Sequence, residues 1–386
     1  KVAEMRTWLD AVELVLDVVG GQKTGGRNIG LAKVAVQEAV QALVDMRDWN
    51  YYIEPDRVLT VDQYATGTIE YDHTGHGSGE RLVTLTGGTF PSWAERGTLL
   101  IDSVPYKVST RESSTELILD ETVNPQVDVA SGTSYTLYQE AFILPAGYKR
   151  LMRVDRLNNW DCQYLSPRAF QQARETLEFS GQPRYFTVMT DPKDARRQAM
   201  WFYPAPQSEE SFDLLIERRP VPLSVYDYKT GTVTVSLGGR SVTGSSTVFT
   251  SGMVGAVIRF GSTGALPQGL ESVENQYAHE AIISARTSDT VITLATDAVQ
   301  ASSAVKHRIS SRIDVADSMW NAMISNARWR FLRHTAAPAS QQAAAADLFG
   351  LDLELAAGAD QNSPRTMGGP VDPYLAARTF EQVSYS

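Results

Sequence analysis

Among 386 residues there is one cysteine, Cys162. No internal disulfide can form, so the fold must stand without an oxidising compartment. No apolar run approaches the roughly 18 residues that a membrane span needs. The first residues lack the basic head and continuous apolar stretch of a signal peptide, and the expectation is a chain that folds in a cytoplasm. Basic charge is scarce as well: 35 Lys and Arg against 45 Asp and Glu leave a net charge of −10. That balance excludes a sequence-independent grip on nucleic acid, although not a surface that DNA slides past. Catalytic signatures are missing too. There is no Gly-x-Ser-x-Gly elbow, no phosphate-binding loop and no His-Glu-x-x-His helix. His73 and His76 sit in a Gly-rich stretch, Asp72 to Gly79, that reads as a hairpin tip too loose to fix metal ligands. The sequence therefore reads as no enzyme, with no metal and no cofactor.

What is present is a repeat. Residues 65–140 and 229–310 carry the same landmarks in the same order. Each copy opens on Gly-Thr and a β-branched residue (Gly67-Thr68-Ile69, Gly231-Thr232-Val233). Each runs through a Val-Thr…Thr-x-Phe pattern to Phe90 or Phe249 and then into Gly and an apolar run (Gly97–Ile101, Gly255–Ile258). Each closes on Thr115–Leu119 or Thr290–Leu294. Matching order over this length marks an internal duplication. Short alternating Val, Ile, Thr, Tyr and Leu runs between Gly, Ser, Asp and Asn clusters predict five or six strands per copy, a small sandwich or barrel.

The rest of the chain is expected to be the platform. Apolar spacing predicts helices over 4–18 and 31–47, a hairpin with a Gly-rich loop between them. Ser166-Pro167 starts a short helix. Asp314 to Asp317 resembles a capping box opening a helix to about Arg333, and an Ala-rich helix follows over 341–357. The expected organisation is an α+β fold with a helical core and two inserted β modules. It divides into an N-terminal helical hairpin (1–64), a first module (65–140), a central α+β segment (141–228), a second module (229–312), C-terminal helices (313–358) and an extended arm (359–386). Trp8, Trp49, Tyr51, Trp320 and Trp329 are the candidate subunit contacts, because Trp and Tyr dominate interface hot spots. Tyr374, Phe380 and Tyr385 are candidate anchors on an arm that orders against a partner.

Several stretches resemble the head-to-tail connector (adaptor) proteins of tailed bacteriophages. One is the helical pair ending in Asp48-Trp49-Asn50-Tyr51-Tyr52. Another is the β module that leaves through Tyr135-Thr136-Leu137-Tyr138-Gln139 into Leu144-Pro145 and Arg150-Leu151. A third is Ser180-Gly181-Gln182-Pro183-Arg184-Tyr185, followed by Phe202-Tyr203-Pro204-Ala205-Pro206. The last is the closing helix with a long C-terminal arm. The resemblance implies a virion protein at the head-to-tail interface: a ring of about twelve copies, a dodecamer, closed by heterologous self-contacts. Its implied partners are the portal protein, tail or nozzle proteins and the capsid protein, with DNA passing unbound through the channel. It also implies an arm that meets the portal through Tyr374, Phe380 and Tyr385. Two modules instead of one depart from the shorter adaptors and leave open which module meets which partner. A tail-side collar or nozzle protein is the nearest alternative. A glycan-binding virion protein, with Trp93, Trp160 and Trp201 as a platform, is the reading from another class. It lacks the two facing carboxylates that hydrolysis would need.

Overall fold

Strands carry most of the fold. The computed structural model describes residues 5–18, 26–74, 81–152, 156–157, 162–175, 179–262, 264–267 and 277–362. Among them five helices stand out: α1 (Trp8–Leu16), α2 (Gly26–Met46), α3 (Pro167–Ala173), α4 (Trp320–His334) and α5 (Ala339–Asn362). The remaining regular structure is dominated by two seven-stranded sheets, a five-stranded sheet and a three-stranded sheet. This overturns the expected helical-core α+β fold, because the chain is mostly β. The reason is physical. An alternating sheet that curls into a barrel buries its own apolar face and needs no helical platform. Clusters of buried side chains sit inside each seven-stranded sheet, and another sits on the central strands.

The chain divides into two compact units, residues 52–219 and residues 1–51 with 220–386. In the first, the barrel-like sheet runs in the order Val129–Thr133, Thr68–Asp72, Leu82–Thr86, Glu116–Leu119, Val104–Arg111, Thr98–Ile101, Tyr135–Tyr138. Tyr64 bridges Leu137 at its open side. Beside it, Tyr185–Thr190 and Gln198–Tyr203 pair antiparallel, while Ile53–Leu59 pairs with Ser211–Arg218. The barrel is bolted to these strands by Arg96, whose two Nη atoms donate to the Asp191 carboxylate at 2.7 and 3.0 Å. Lys193 adds a hydrogen bond to the Val108 carbonyl at 2.8 Å.

The second unit repeats the barrel. Its order is Ser302–Val305, Thr232–Val235, Ser241–Ser245, Val291–Leu294, Tyr277–Ser288, Val257–Gly261, His307–Ser310, which is the first barrel's order strand for strand. Fine detail repeats too. Tyr64 and Leu137 exchange two backbone hydrogen bonds, as do Tyr228 and Ile309. The Tyr64 hydroxyl accepts from Thr89 N and the Tyr228 hydroxyl from Val248 N. Gly67 and Gly231 have φ of 85° and 83°, and a Cβ there would lie 2.4 and 2.3 Å from a carbonyl oxygen of the next strand. Only glycine fits that turn.

Helix α1 ties the second barrel to the helices. Thr7 caps it: Asp10 N donates to the Thr7 hydroxyl, and the Asp10 carboxylate accepts from Thr7 N, a capping box. The same carboxylate receives both Nη atoms of Arg259 at 2.8 and 2.7 Å. Arg259 Nε donates to Glu280 at 3.1 Å, and Nη2 also reaches the Met5 carbonyl at 2.8 Å. Asp10 and Arg259 are 1% and 3% exposed as side chains. Burial works against the charge of Arg259, yet the Asp10 and Glu280 carboxylates hold its pKa above the ordinary arginine value. Removing one partner of such a group strands the others in a dry site. Arg259→Met is expected to destabilise the chain by about 3–5 kcal/mol. The triple exchange Asp10→Asn, Arg259→Met, Glu280→Gln, which strands no charge, should recover a large part of that loss. Urea unfolding of the two variants checks this.

Candidate assembly surface

Three helices form a layer in which α4 lies between α2 and α5. On one side Arg330 and His334 reach Glu38 of α2 at 3.2 and 3.1 Å. On the other, Ser325 donates to Asp352, and Trp329 stacks on Phe349 of α5 with ring centres 6.5 Å apart. Arg328 crosses behind to the Leu14 carbonyl of α1 at 3.0 Å. The helices α2 and α5 converge where Asp360 accepts from the backbone and side chain of Asn50 and meets Arg47. Helix α5 thus continues beyond the point at which an extended arm was expected to begin.

Helix α5 holds eight alanines, four leucines, one phenylalanine and four carboxylates, and no basic residue. A helix this apolar on every side is normally buried on every side. Among its residues 339–360, whose burial is described, only Ala356 and Asp360 are buried. Leu348, Leu351 and Leu355 are 45%, 61% and 73% exposed, and their i, i+3, i+7 spacing sets them on one face. Between α1, α4 and α5 lies a groove of about 360 Å³ lined by Val18, Ser325, Arg328, Leu332, Ala345 and Leu348. This outward face is the candidate site.

The residues nominated from sequence fall elsewhere. Trp8 is buried and meets Tyr226 edge-on at 5.6 Å. Trp49 is fully buried, its indole N–H donating to the Leu43 carbonyl at 2.7 Å. The Tyr51 hydroxyl donates to Asp314 at 2.9 Å. Trp320 is buried beneath the Arg6 guanidinium, and Trp329 is half-buried with Arg333 over its ring. Each therefore contacts its own unit. Asp314 does not cap α4, because its carboxylate serves Tyr51 and Val221 N instead. Trp93 packs against the first barrel's core, and Arg174 lies over Trp201. Tyr374, Phe380, Tyr385, Trp160 and His76 lie outside the described residues. Among the described residues no three His, Cys, Asp or Glu side chains stand close enough to hold a metal, and no helix is long and apolar enough to cross a membrane. Cys162 is buried, which pushes its thiol up to about 12. No family model, curated protein or solved structure matches this chain.

The barrels differ in two places that matter, an outward row of three residues and one core position. On the strand that aligns Leu100 with Arg259, the outward row Pro105–Leu100–Thr136 of the first barrel becomes Glu280–Arg259–Arg308 in the second. This is the row that receives α1. In the core, Tyr135 is replaced by His307. Tyr135 donates to the Thr66 carbonyl at 2.9 Å, whereas both ring nitrogens of the fully buried His307 lack a partner. Burial, aided by the Lys306 charge, lowers the His307 pKa to about 4. Unfolding frees the ring to titrate near 6.5, so the neutral form stabilises the fold above that pH. The contribution, about 3 kcal/mol, is lost as the pH falls from about 6.5 to 4. His307→Tyr is expected to be tolerated, since Thr230 occupies the place of Thr66, and to flatten this acid sensitivity. Thermal melts between pH 4 and 7 decide it: an unchanged pH profile would contradict the assignment.

Proposed function

We propose that this chain is a non-enzymatic structural subunit that closes into a ring with its own copies and joins two larger assemblies. The reading is that of a head-to-tail connector of a tailed-phage virion, docked below the portal. The observation that carries it is α5, an apolar helix left uncovered by the rest of its own unit. An exposed face of this kind is an assembly surface or an aggregation hazard, and the exposed carboxylates of Asp347 and Glu354 beside it favour the former. Two barrels of one topology, each held by an arginine fork on a buried aspartate, suit firm contacts with neighbours. The net charge of −10 suits a channel that must pass DNA without holding it. Portal, tail or nozzle proteins and capsid protein are the proposed partners, on the strength of the sequence resemblance.

Light scattering on the purified chain, alone and mixed with portal protein, tests the proposal. The expected result is a ring of about twelve copies in the presence of portal. A ring that ignores portal points to a collar or nozzle position on the tail side. A chain that stays monomeric in both samples contradicts the proposal.

A further inference from the structure

We infer that the second barrel is an acid-sensitive latch: its two buried histidines, His279 and His307, open the three strands that seat α1 when they become charged. The residues are 5% and 0% exposed, and all four ring nitrogens lack a hydrogen-bond partner. They share one cross-strand row. His279 and His307 stand opposite Phe260 from either side, on the strands Tyr277–Ser288, His307–Ser310 and Val257–Gly261. His279 stacks on Phe260 with ring centres 4.2 Å apart, and His307 meets Tyr228 and Phe249 at 5.8 and 6.2 Å. A second proton on either ring would put a charge into this aromatic core with no acceptor to receive it. Burial lowers the pKa of both rings, and the Lys306 charge adds to the effect at His307. Each is therefore neutral in the closed barrel, and its contribution is lost as the pH falls below about 6.5.

The next residue on each strand points the other way, and that outward row is Glu280–Arg259–Arg308. Arg259 holds Asp10, Glu280 accepts from Met5 N at 2.7 Å, and Arg308 pairs with Asp227. Further along the strand of His307, the Ser310 hydroxyl and the Ser311 carbonyl accept from Leu9 N and Trp8 N. The strands that acid separates are thus the ones on which α1 sits. Glu13, half-buried on α1 in the same seam, works in the opposite sense. Burial and the nearby Asp10 raise its pKa, so acid neutralises it and eases its burial. The first barrel has Val104–Ile101–Tyr135 in the equivalent row and no histidine in its core cluster. Acid has no such lever there.

Amide hydrogen exchange on the full chain at about pH 7.5 and about pH 5, each corrected for the intrinsic exchange rate, tests the latch. Acid should speed exchange of α1 and of residues 257–261, 277–283 and 307–310 by roughly tenfold or more, while the first barrel's strands change by less than about twofold. In the double variant His279→Leu, His307→Tyr the acid response of α1 should vanish. If that protein does not fold, His307→Tyr alone should weaken the response several-fold. A wild-type α1 that keeps its protection in acid overturns the latch. So do two barrels that lose protection together, an α1 that opens while the second barrel stays closed, and folded variants that respond to acid as the wild type does.

Discussion

The buried guanidinium of Arg259 is the constraint on which the helical unit depends. One side chain satisfies the carboxylate that caps α1, a glutamate on the neighbouring strand and the Met5 carbonyl. Each of these groups would be costly to leave unpaired in a dry site. Their joint satisfaction fixes where α1 begins, and backbone bonds continue the seam: Trp8 N donates to the Ser311 carbonyl and Ile313 N to that of Arg6. From α1 the packing passes to α2 and α4, and from α4 to α5. The uncovered face of α5 is therefore held on a rigid frame, which an interface needs if assembly is not to be spent on ordering a loose helix.

The duplicated barrel explains how one scaffold serves two attachments. The closing tyrosines, the strained glycine turns and the strand order are common to both copies. The outward row of three adjacent strands is where they part for attachment. In the second barrel that row carries Arg259, Glu280 and Arg308 and receives α1, while the first has Leu100, Pro105 and Thr136 there. The first barrel is held instead through Arg96 on its 3-10 turn. Both solutions use an arginine fork on a buried aspartate, the geometry in which arginine outperforms lysine.

The repeat was readable in the sequence because it rests on residues with strict local demands. Gly67 and Gly231 must adopt positive φ, and Phe90 and Phe249 must fill a small core. The register was harder to read. The sequence landmarks set Gly97 beside Gly255, but backbone bonds from Val108 and Ile283 make Ala256 the equivalent of Gly97. The helical core was misjudged because helical periodicity stands out over long stretches, whereas many short strands together bury more. Asp10, Arg259 and Glu280 were missed although a signal existed: an arginine within the apolar run Val257-Ile258-Arg259-Phe260, and Thr7 three residues before Asp10. The aromatic residues proposed as interface anchors are the ones a small helical unit needs for itself, as the full burial of Trp49 illustrates. The leucines of α5 were overlooked because apolar residues are normally assigned to a core.

A subunit that assembles through α5 must cover that helix when copies meet. Amide hydrogen exchange of the chain, as monomer and in its assembled state, measures this most directly. Burial of the leucine face should slow exchange across residues 344–358 by roughly tenfold or more on assembly, while the two barrel cores, already protected, change little. Assembly that leaves α5 exchanging at its monomer rate and slows another surface instead would contradict the account.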